Sequence, residues 1–307
     1  MSEITVVGGI NIDIEGSPFE KLKYRDSNPG RIHLSFGGVG RNITENAARL
    51  GADVAMVSVI GDDSMGQTAR DELKALGVDT SCIRTLQGRN SAMYLSILDD
   101  RKDMELALCD MDIIEAITPD VLREHSEFIS KSGIIALDGN LTEELLCCAI
   151  EMFRDIPIFF DPVSGAKAVN AKNCLWGFES IKPNIVEAEI LTGITIRGDK
   201  DVMRAADRLL EKGLKRVFIT LNKDGVYYRD AESDGFIRPA KKLKIVSATG
   251  AGDSFSAAVL LGAVRSISTE ETARLGMAAA SVAMESDCAV NREMNIKELL
   301  RRLAENV

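Results

Sequence analysis

The alternation of short apolar runs with helical patterns constrains the fold of this chain more than any other feature. Five apolar runs of strand length are ITVVGGI, VAMVSVIG, SGIIALDG, IPIFFDP and RVFITL, and helical patterns lie between them. Such runs are typical of strands buried on both faces, and strands that alternate with helices form parallel sheets. The sequence therefore predicts an α/β fold with three layers, α/β/α, around a mostly parallel sheet.

Two segments interrupt this alternation, approximately residues 12–36 and 89–110. The second contains YLSILDD and MELALCD, which have the composition of strands on either side of a turn. We expect the two segments to form a small β-sheet lid on a single domain that spans residues 1–307. Apolar residues on an open sheet edge tend to be covered, so YLSIL also predicts a homodimer through the lid.

Composition narrows the class of protein. The chain has 307 residues and a formal net charge of −10, which gives it no electrostatic reason to bind nucleic acid or an anionic membrane. Only His33 and His125 are present, which argues against histidine catalysis and a multi-histidine metal site. The six cysteines lack CxxC spacing and the N-terminus lacks a leader pattern, so we expect reduced thiols in a cytoplasmic protein whose catalysis depends on carboxylates.

The stretch SATGAGDSFSAAVLLG, residues 247–262, places one carboxylate at a glycine-rich helix start. Gly250 and Gly252 flank Ala251, and Asp253 falls in the first predicted helical turn. The backbone N–H groups of residues 250–253 can converge on an anion, as helix N-termini do for phosphate. The structural alternative is that Asp253 is a capping carboxylate that stabilises the helix through its dipole.

Polar residues also follow the first strand and open the next helix. Asn11 and Asp13 stand at alternating positions, so their side chains share a face and suit sugar hydroxyls; the alternative is a polar turn. FGGVGRN carries Gly38 in a second glycine turn and Asn42 at a helix start, where Asn42 is either a ligand contact or a helix cap.

A further polar pair stands in KPNIVEAEIL. Asn184 and Glu187 are three residues apart, which puts them on one face of a helix. The pair is either an N-cap with a capping-box glutamate or a site that positions magnesium and phosphate. The spacing alone leaves both readings open.

The order of these motifs resembles the PfkB family of carbohydrate kinases, to which ribokinase belongs. GGINID, FGGVGRN, DPVS, KPNIVEAE and TGAGDSF follow one another across essentially the whole chain, and TGAGD is the most specific of them. The resemblance implies a ribokinase-like fold, with ATP as phosphate donor and Mg²⁺ as cofactor. DSNPGRI and GGVGRN, with CDMDI later, are most similar to the pseudouridine kinase branch. They imply phosphorylation of the 5′-hydroxyl of pseudouridine, a step in nucleoside catabolism.

The resemblance also implies roles for individual residues. Asp253 would be the catalytic base for the sugar hydroxyl, and the turn formed by Gly250, Ala251 and Gly252 would bind the transferring phosphoryl group. The remaining roles are substrate binding by Asn11, Asp13, Gly38, Asn42 and Asn140; nucleotide binding by Asn184, Thr220 and Gly225; and magnesium binding by Glu187.

Two positions depart from the family pattern. Asn222 stands where relatives commonly have a glycine, two residues after the Thr220 position, which leaves the preference for a phosphate donor open. Ser247 replaces an aspartate that helps to hold an activating monovalent cation, so dependence on such a cation is open as well. The alternatives are a kinase for another nucleoside or a ribose-type sugar, and a non-catalytic nucleoside sensor. Retention of Asp253 within a full TGAGD turn favours an enzyme.

Overall fold

The computed structural model describes residues 2–239 and 245–305, which contain thirteen β-strands and eleven α-helices. The strands are β1 Ile4–Val7, β2 Asn11–Pro18, β3 Gly30–Gly37, β4 Val54–Gly61, β5 Ile83–Leu86, β6 Ala92–Leu98, β7 Met104–Asp110, β8 Ile134–Asp138, β9 Ile158–Asp161, β10 Ser180–Ile181, β11 Arg216–Thr220, β12 Val226–Arg229 and β13 Asp234–Ile237. The helices are α1 Val39–Arg49, α2 Ser64–Ala75, α3 Pro119–Glu124, α4 Ser126–Ile129, α5 Glu143–Met152, α6 Gly165–Ala168, α7 Ile185–Thr192, α8 Asp199–Glu211, α9 Ala251–Val264, α10 Thr269–Ala283 and α11 Ile296–Ala304. None of the described helices combines the length and apolar composition needed to cross a membrane.

Nine strands form the large sheet, in the order β13-β12-β11-β10-β9-β8-β1-β4-β5. Seven neighbouring strands of this sheet pair in parallel, in the order β11-β10-β9-β8-β1-β4-β5. At the centre of the sheet, Ile4 on β1 pairs with Val54 on one side and Ile134 on the other. Strands β12 and β13 add an antiparallel edge. The predicted mostly parallel sheet is therefore confirmed.

Helices cover both faces of this sheet because its strands are apolar on both sides. In β1, Ile4 and Val6 pack into a core with α1, α9, α10 and α11, while Val7 belongs to a second core with α3, α5, α7 and α8. All four β1 residues are buried. A strand buried on both faces needs a helical layer on each side, which gives the three-layer arrangement.

The remaining four strands form the small sheet, in the order β3-β2-β6-β7. Asp13 on β2 pairs with Ser35 and Tyr94, and the next residue, Ile14, pairs with Leu34 and Leu95. Since side chains alternate between the faces of a strand, the sheet has a polar face that carries Asp13 and an apolar face that carries Ile14. This sheet is the lid that interrupts the helix and strand alternation of the sequence.

Polar residues gather at one edge of the large sheet, where its parallel strands end. β8 ends at Asp138, β9 ends at Asp161, and Lys182 follows β10 directly. Gly8 and Gly9 follow the first strand before the chain enters the lid at Asn11. In open α/β sheets, ligands bind beyond the carboxyl ends of the strands, so we expect the functional site at this edge.

Candidate active site

Asp253 and Asn42 meet at this edge although 211 positions separate them in the sequence. The Asn42 amide Nδ2 donates to Asp253 Oδ2 at 2.9 Å. The helix N-caps are Gly250 for α9 and Gly38 for α1, and Asp253 accepts no capping hydrogen bond. Neither side chain is therefore the N-cap of its helix, although Asp253 lies in the first turn of α9, where a carboxylate favours the helix dipole. Each lies in the first turn of its helix and points at the other.

The glycine turn before α9 leaves backbone donors free. Gly250 has φ +77°, and a Cβ there would lie 1.7 Å from the Ala289 carbonyl oxygen, so only glycine fits. The N–H groups of Gly252 and Asp253 have no acceptor among the residues that the structure describes. Two free donors at the positive end of a 14-residue helix are a suitable site for an anion.

The protonation of Asp253 suits proton transfer near neutral pH. Burial raises the pKa of this carboxyl to about 7, and repulsion from Asp161 and Asp138 acts in the same direction. The hydrogen bond from Asn42 and the charge of Lys182 oppose this rise in pKa. The Asp253 side chain is nevertheless partly exposed, so a ligand can reach it. A carboxyl with a pKa close to the working pH is well matched to general base catalysis.

Asn11 and Asp13 form a second polar pair, on the lid side of the site. The Asn11 amide Nδ2 donates to Asp13 Oδ1 at 2.6 Å, and Asn11 is 8% exposed. Burial raises the pKa of Asp13, and the Asn11 hydrogen bond partly offsets it. Gly38, at φ +99°, packs beside the pair, since a Cβ there would lie 3.1 Å from Asn11 Oδ1. Asn11 and Asp13 are thus fixed side by side, which a solvated polar turn would not require.

Asn140 follows β8, and its backbone N–H donates to Asp138 Oδ1 at 2.8 Å. Asp138 is 1% exposed and its Oδ2 has no hydrogen-bond partner in the described residues. Burial raises the pKa of Asp138 to about 6. Asp138 was not among the residues predicted from the sequence; its signal is a lone carboxylate near the end of the apolar run SGIIALDG.

Asn184 and Glu187 form a complete capping box at the start of α7. Glu187 Oε2 accepts from the Asn184 backbone N–H at 2.8 Å, and Asn184 Oδ1 accepts from the Glu187 N–H at 3.0 Å. Glu187 Oε1 accepts from the Asn184 side-chain amide at 2.7 Å, and Glu187 is 2% exposed. The structural reading of this pair therefore holds.

Magnesium in kinases usually keeps several waters and takes its other ligands from one or two carboxylates and the substrate phosphates. Only binding of this kind fits the start of α7, where Glu187 lies. Among the described residues no group of three or more histidine, cysteine or acidic side chains is arranged to hold a metal. Both Glu187 oxygens already accept hydrogen bonds. Glu187 would therefore hold such an ion only through water.

The nucleotide-side residues predicted from the sequence lie next to this capping box. Asn184 forms an isolated parallel bridge with Thr220, the last residue of β11. The turn that follows ends at Gly225, with φ +96°. Asn222 has φ +52°, a conformation that asparagine tolerates better than most residues, so it supports a left-handed turn without glycine. Ser247 is the other position that departs from the family pattern, and its hydroxyl accepts from the Thr249 N–H at 3.1 Å.

Two buried cations that were not predicted from the sequence hold the site together. Arg41, 5% exposed, donates to the Phe36 carbonyl at 2.9 Å and pairs with Glu45 at 2.7 Å, which anchors the glycine turn before α1. Lys182, 6% exposed, pairs with Asp161 at 3.3 Å. In the sequence, Arg41 is marked only by its place before Asn42 in GRN, and Lys182 only by its place before Asn184 in KPN.

Several known proteins are similar to this chain in fold and in sequence. A model of the pfkB family of carbohydrate kinases matches residues 1–293. The chain is 35% identical to the pseudouridine kinase of Escherichia coli K12, over 99% of this chain and 96% of that protein. It is 31% identical to the guanosine-inosine kinase of Exiguobacterium acetylicum, over 93% and 95% of the two chains. A structure of Arabidopsis thaliana ribokinase with ribose and ATP superimposes with a TM-score of 0.88 at 22% identity, covering 98% of each chain.

The chain therefore belongs to the PfkB family of carbohydrate kinases and has the ribokinase-like fold. It is an ATP-dependent sugar or nucleoside kinase, a phosphotransferase with an alcohol group as acceptor.

Proposed function

We propose that this protein transfers the γ-phosphoryl group of ATP to the 5′-hydroxyl of pseudouridine. The observation that carries the proposal is the Asp253 carboxyl, held by Asn42 beside two backbone N–H groups that have no acceptor in the described part of the chain. The choice of nucleoside is supported by 35% identity to a pseudouridine kinase along almost the whole of both chains. Phosphoryl transfer needs an aligned hydroxyl, charge neutralisation and a proton acceptor, and each has a candidate here.

In the proposed complex, Asn11 and Asp13 bind ribose hydroxyls, and the backbone around Gly38 allows the sugar to approach closely. Their hydrogen bond at 2.6 Å leaves Asp13 with one carboxylate oxygen outside the pair. Asn42, which already touches Asp253, places the sugar next to the base. Asn140 adds a contact from the end of β8. The polar face of the lid covers the sugar and excludes water, which would otherwise compete for the phosphoryl group.

In the transfer step, the 5′-O–H bond breaks and its proton passes to Asp253. The 5′-oxygen then bonds to the γ-phosphorus, and the bond between that phosphorus and the β–γ bridging oxygen breaks with its electrons leaving on ADP. The N–H groups of Gly252 and Asp253 donate to the phosphoryl oxygens as negative charge spreads over them. Asn184, Thr220 and Gly225 bind the nucleotide. Glu187 would hold Mg²⁺ through water, and the ion would supply positive charge to the nucleotide phosphates.

A substrate panel tests the proposal. The purified chain is incubated with Mg²⁺-ATP and, in turn, with pseudouridine, uridine, inosine, guanosine, adenosine and ribose, and ADP release is measured. We expect the highest kcat/KM for pseudouridine. A preference for inosine or guanosine would support the second candidate, favoured by the 31% identity to a guanosine-inosine kinase. Calorimetric binding of pseudouridine without turnover would point to a sensor instead.

We also propose that the protein is a homodimer whose subunits pair through their lids. Its apolar face includes the cross-strand row Ile32, Gly16, Ile97 and Leu106, and the ends of that row, Ile32 and Leu106, are 80% and 58% exposed. A second copy of the same face would cover these side chains, and exposed apolar patches of this kind commonly mark interfaces. Because the opposite face carries Asp13, pairing the apolar faces would leave the sugar side of each lid free.

A further inference from the structure

A lysine lies directly behind the glycine turn, at the end of β10. The Lys182 side chain is 7% exposed, and its Nζ lies 3.3 Å from Asp161 Oδ2. The Ser256 hydroxyl on α9 donates to the same Asp161 oxygen at 2.6 Å. Asp161 therefore ties the lysine to the helix whose first turn carries Asp253, and the ammonium position is fixed from two elements.

The ammonium also reaches the turn itself. A Cβ built on Gly252 would lie 3.4 Å from Lys182 Nζ. Because residue 252 has no side chain, nothing from that position separates the ammonium from the free N–H groups of Gly252 and Asp253. An anion held by those donors would therefore lie within a few ångströms of a buried positive charge.

Lys182 stays charged in this position although it is buried. Burial acts to lower its pKa, but Asp161, Glu187 and Asp253 together raise it above the ordinary value for lysine. Its one ion-pair partner among the described residues is Asp161, at 3.3 Å. An ammonium has three N–H donors, so donor capacity remains beyond that pair.

We propose that Lys182 is a catalytic residue whose ammonium contacts the transferring phosphoryl group above Gly252 and neutralises its oxygens in the transition state. The inference rests on the proposed kinase function and adds a side-chain cation to the backbone donors. A preorganised donor in a water-excluded site acts most strongly where charge develops, so its loss should reduce kcat far more than it weakens substrate binding.

The test compares Lys182→Met with the double variant Lys182→Met/Asp161→Asn. In the double variant, both partners of the buried pair are neutral. If Lys182 only balances Asp161, the double variant should recover the parent kcat and melting temperature. If Lys182 acts on the phosphoryl group, kcat should stay about 10²-fold low in both variants while the double variant regains stability. Lys131→Met, which removes an exposed lysine paired with Glu127, is the matched control and should retain full activity.

A binding measurement separates this inference from the function it rests on. Aluminium fluoride with ADP and nucleoside mimics the transition state of phosphoryl transfer. The affinity of the protein for this mimic can be measured by calorimetry without turnover. We expect Lys182→Met to bind this mimic about 10²-fold more weakly and ADP alone within about threefold of the parent. Equal affinity for the mimic in parent and variant would overturn the role of Lys182. Failure of the parent protein to turn over any nucleoside would overturn the proposed function instead.

Discussion

Replacing Asp253 by asparagine should reduce activity and stabilise the fold at the same time. Asparagine keeps the size of the side chain and a carbonyl oxygen for the Asn42 amide, but it cannot accept the hydroxyl proton. Loss of a general base typically costs about 10²- to 10⁴-fold in rate. A helix cap predicts the reverse pattern, with activity unchanged and stability altered by less than about 1 kcal/mol.

The stability gain follows from the pKa of Asp253. A carboxyl whose pKa rises from 3.8 in the unfolded chain to about 7 in the folded protein weakens folding by up to about 4 kcal/mol above pH 7. Solvent at the partly exposed side chain reduces this to about 2–4 kcal/mol. The folded state binds the proton more tightly, so the cost of Asp253 grows as the pH rises from about 4 to about 7. The gain in Asp253→Asn should grow over the same interval.

Urea unfolding of parent and variant at pH 5 and pH 8, with kcat from ADP release, measures both effects. Asn295→Ala is the matched control, because Asn295 Oδ1 caps α11 by accepting from the Glu298 N–H at 3.0 Å, away from the site and the lid. That variant should lose about 1–2 kcal/mol and keep its activity. A variant Asp253→Asn that is less stable than its parent at pH 8, or that turns over within about threefold of it, would refute the assignment of Asp253 as base.

Three further predictions follow from the site and the lid. The kcat/KM of the parent should rise with pH through an apparent pKa of about 7, measured from pH 5 to 9; a flat profile would contradict a titrating base. Gly250→Ala should lower the melting temperature and abolish turnover, since its Cβ would lie 1.7 Å from the Ala289 carbonyl oxygen; unchanged activity would rule out a fixed turn. Ile32→Ser with Leu106→Ser should give monomers by light scattering where the parent gives dimers, whereas Leu300→Ser, 57% exposed on α11, should not.

Local pattern was enough to predict the large sheet and most of its helices. The run DSMGQTARDELKALG predicted a helix that the structure places at Ser64–Ala75, and YLSILDD and MELALCD predicted lid strands that span Ala92–Leu98 and Met104–Asp110. The antiparallel edge strands β12 and β13 were not predicted. Each is four residues long, too short for its alternation to stand out from the surrounding turns.

The candidate site was only partly predictable, because its contacts join distant parts of the chain. Asn42 and Asp253 both stood out in the sequence, but their hydrogen bond spans 211 positions and no local pattern encodes it. Lys182 and Asp161 escaped notice for a different reason. A charged residue at a strand end looks the same in sequence whether it is solvated or buried in a pair, and only the packing of α9 against the sheet decides between them.

The most direct test of the central claim is a competition between pseudouridine and uridine in one reaction. The two nucleosides are isomers that differ in the atom joining base to ribose, so equal concentrations with limiting Mg²⁺-ATP compare base recognition alone. Liquid chromatography separates the two monophosphates, and ³¹P–¹H coupling locates the phosphate. We expect mainly pseudouridine 5′-phosphate, formed with one ADP per phosphate transferred. Equal or greater phosphorylation of uridine, or a phosphate on another hydroxyl, would contradict it.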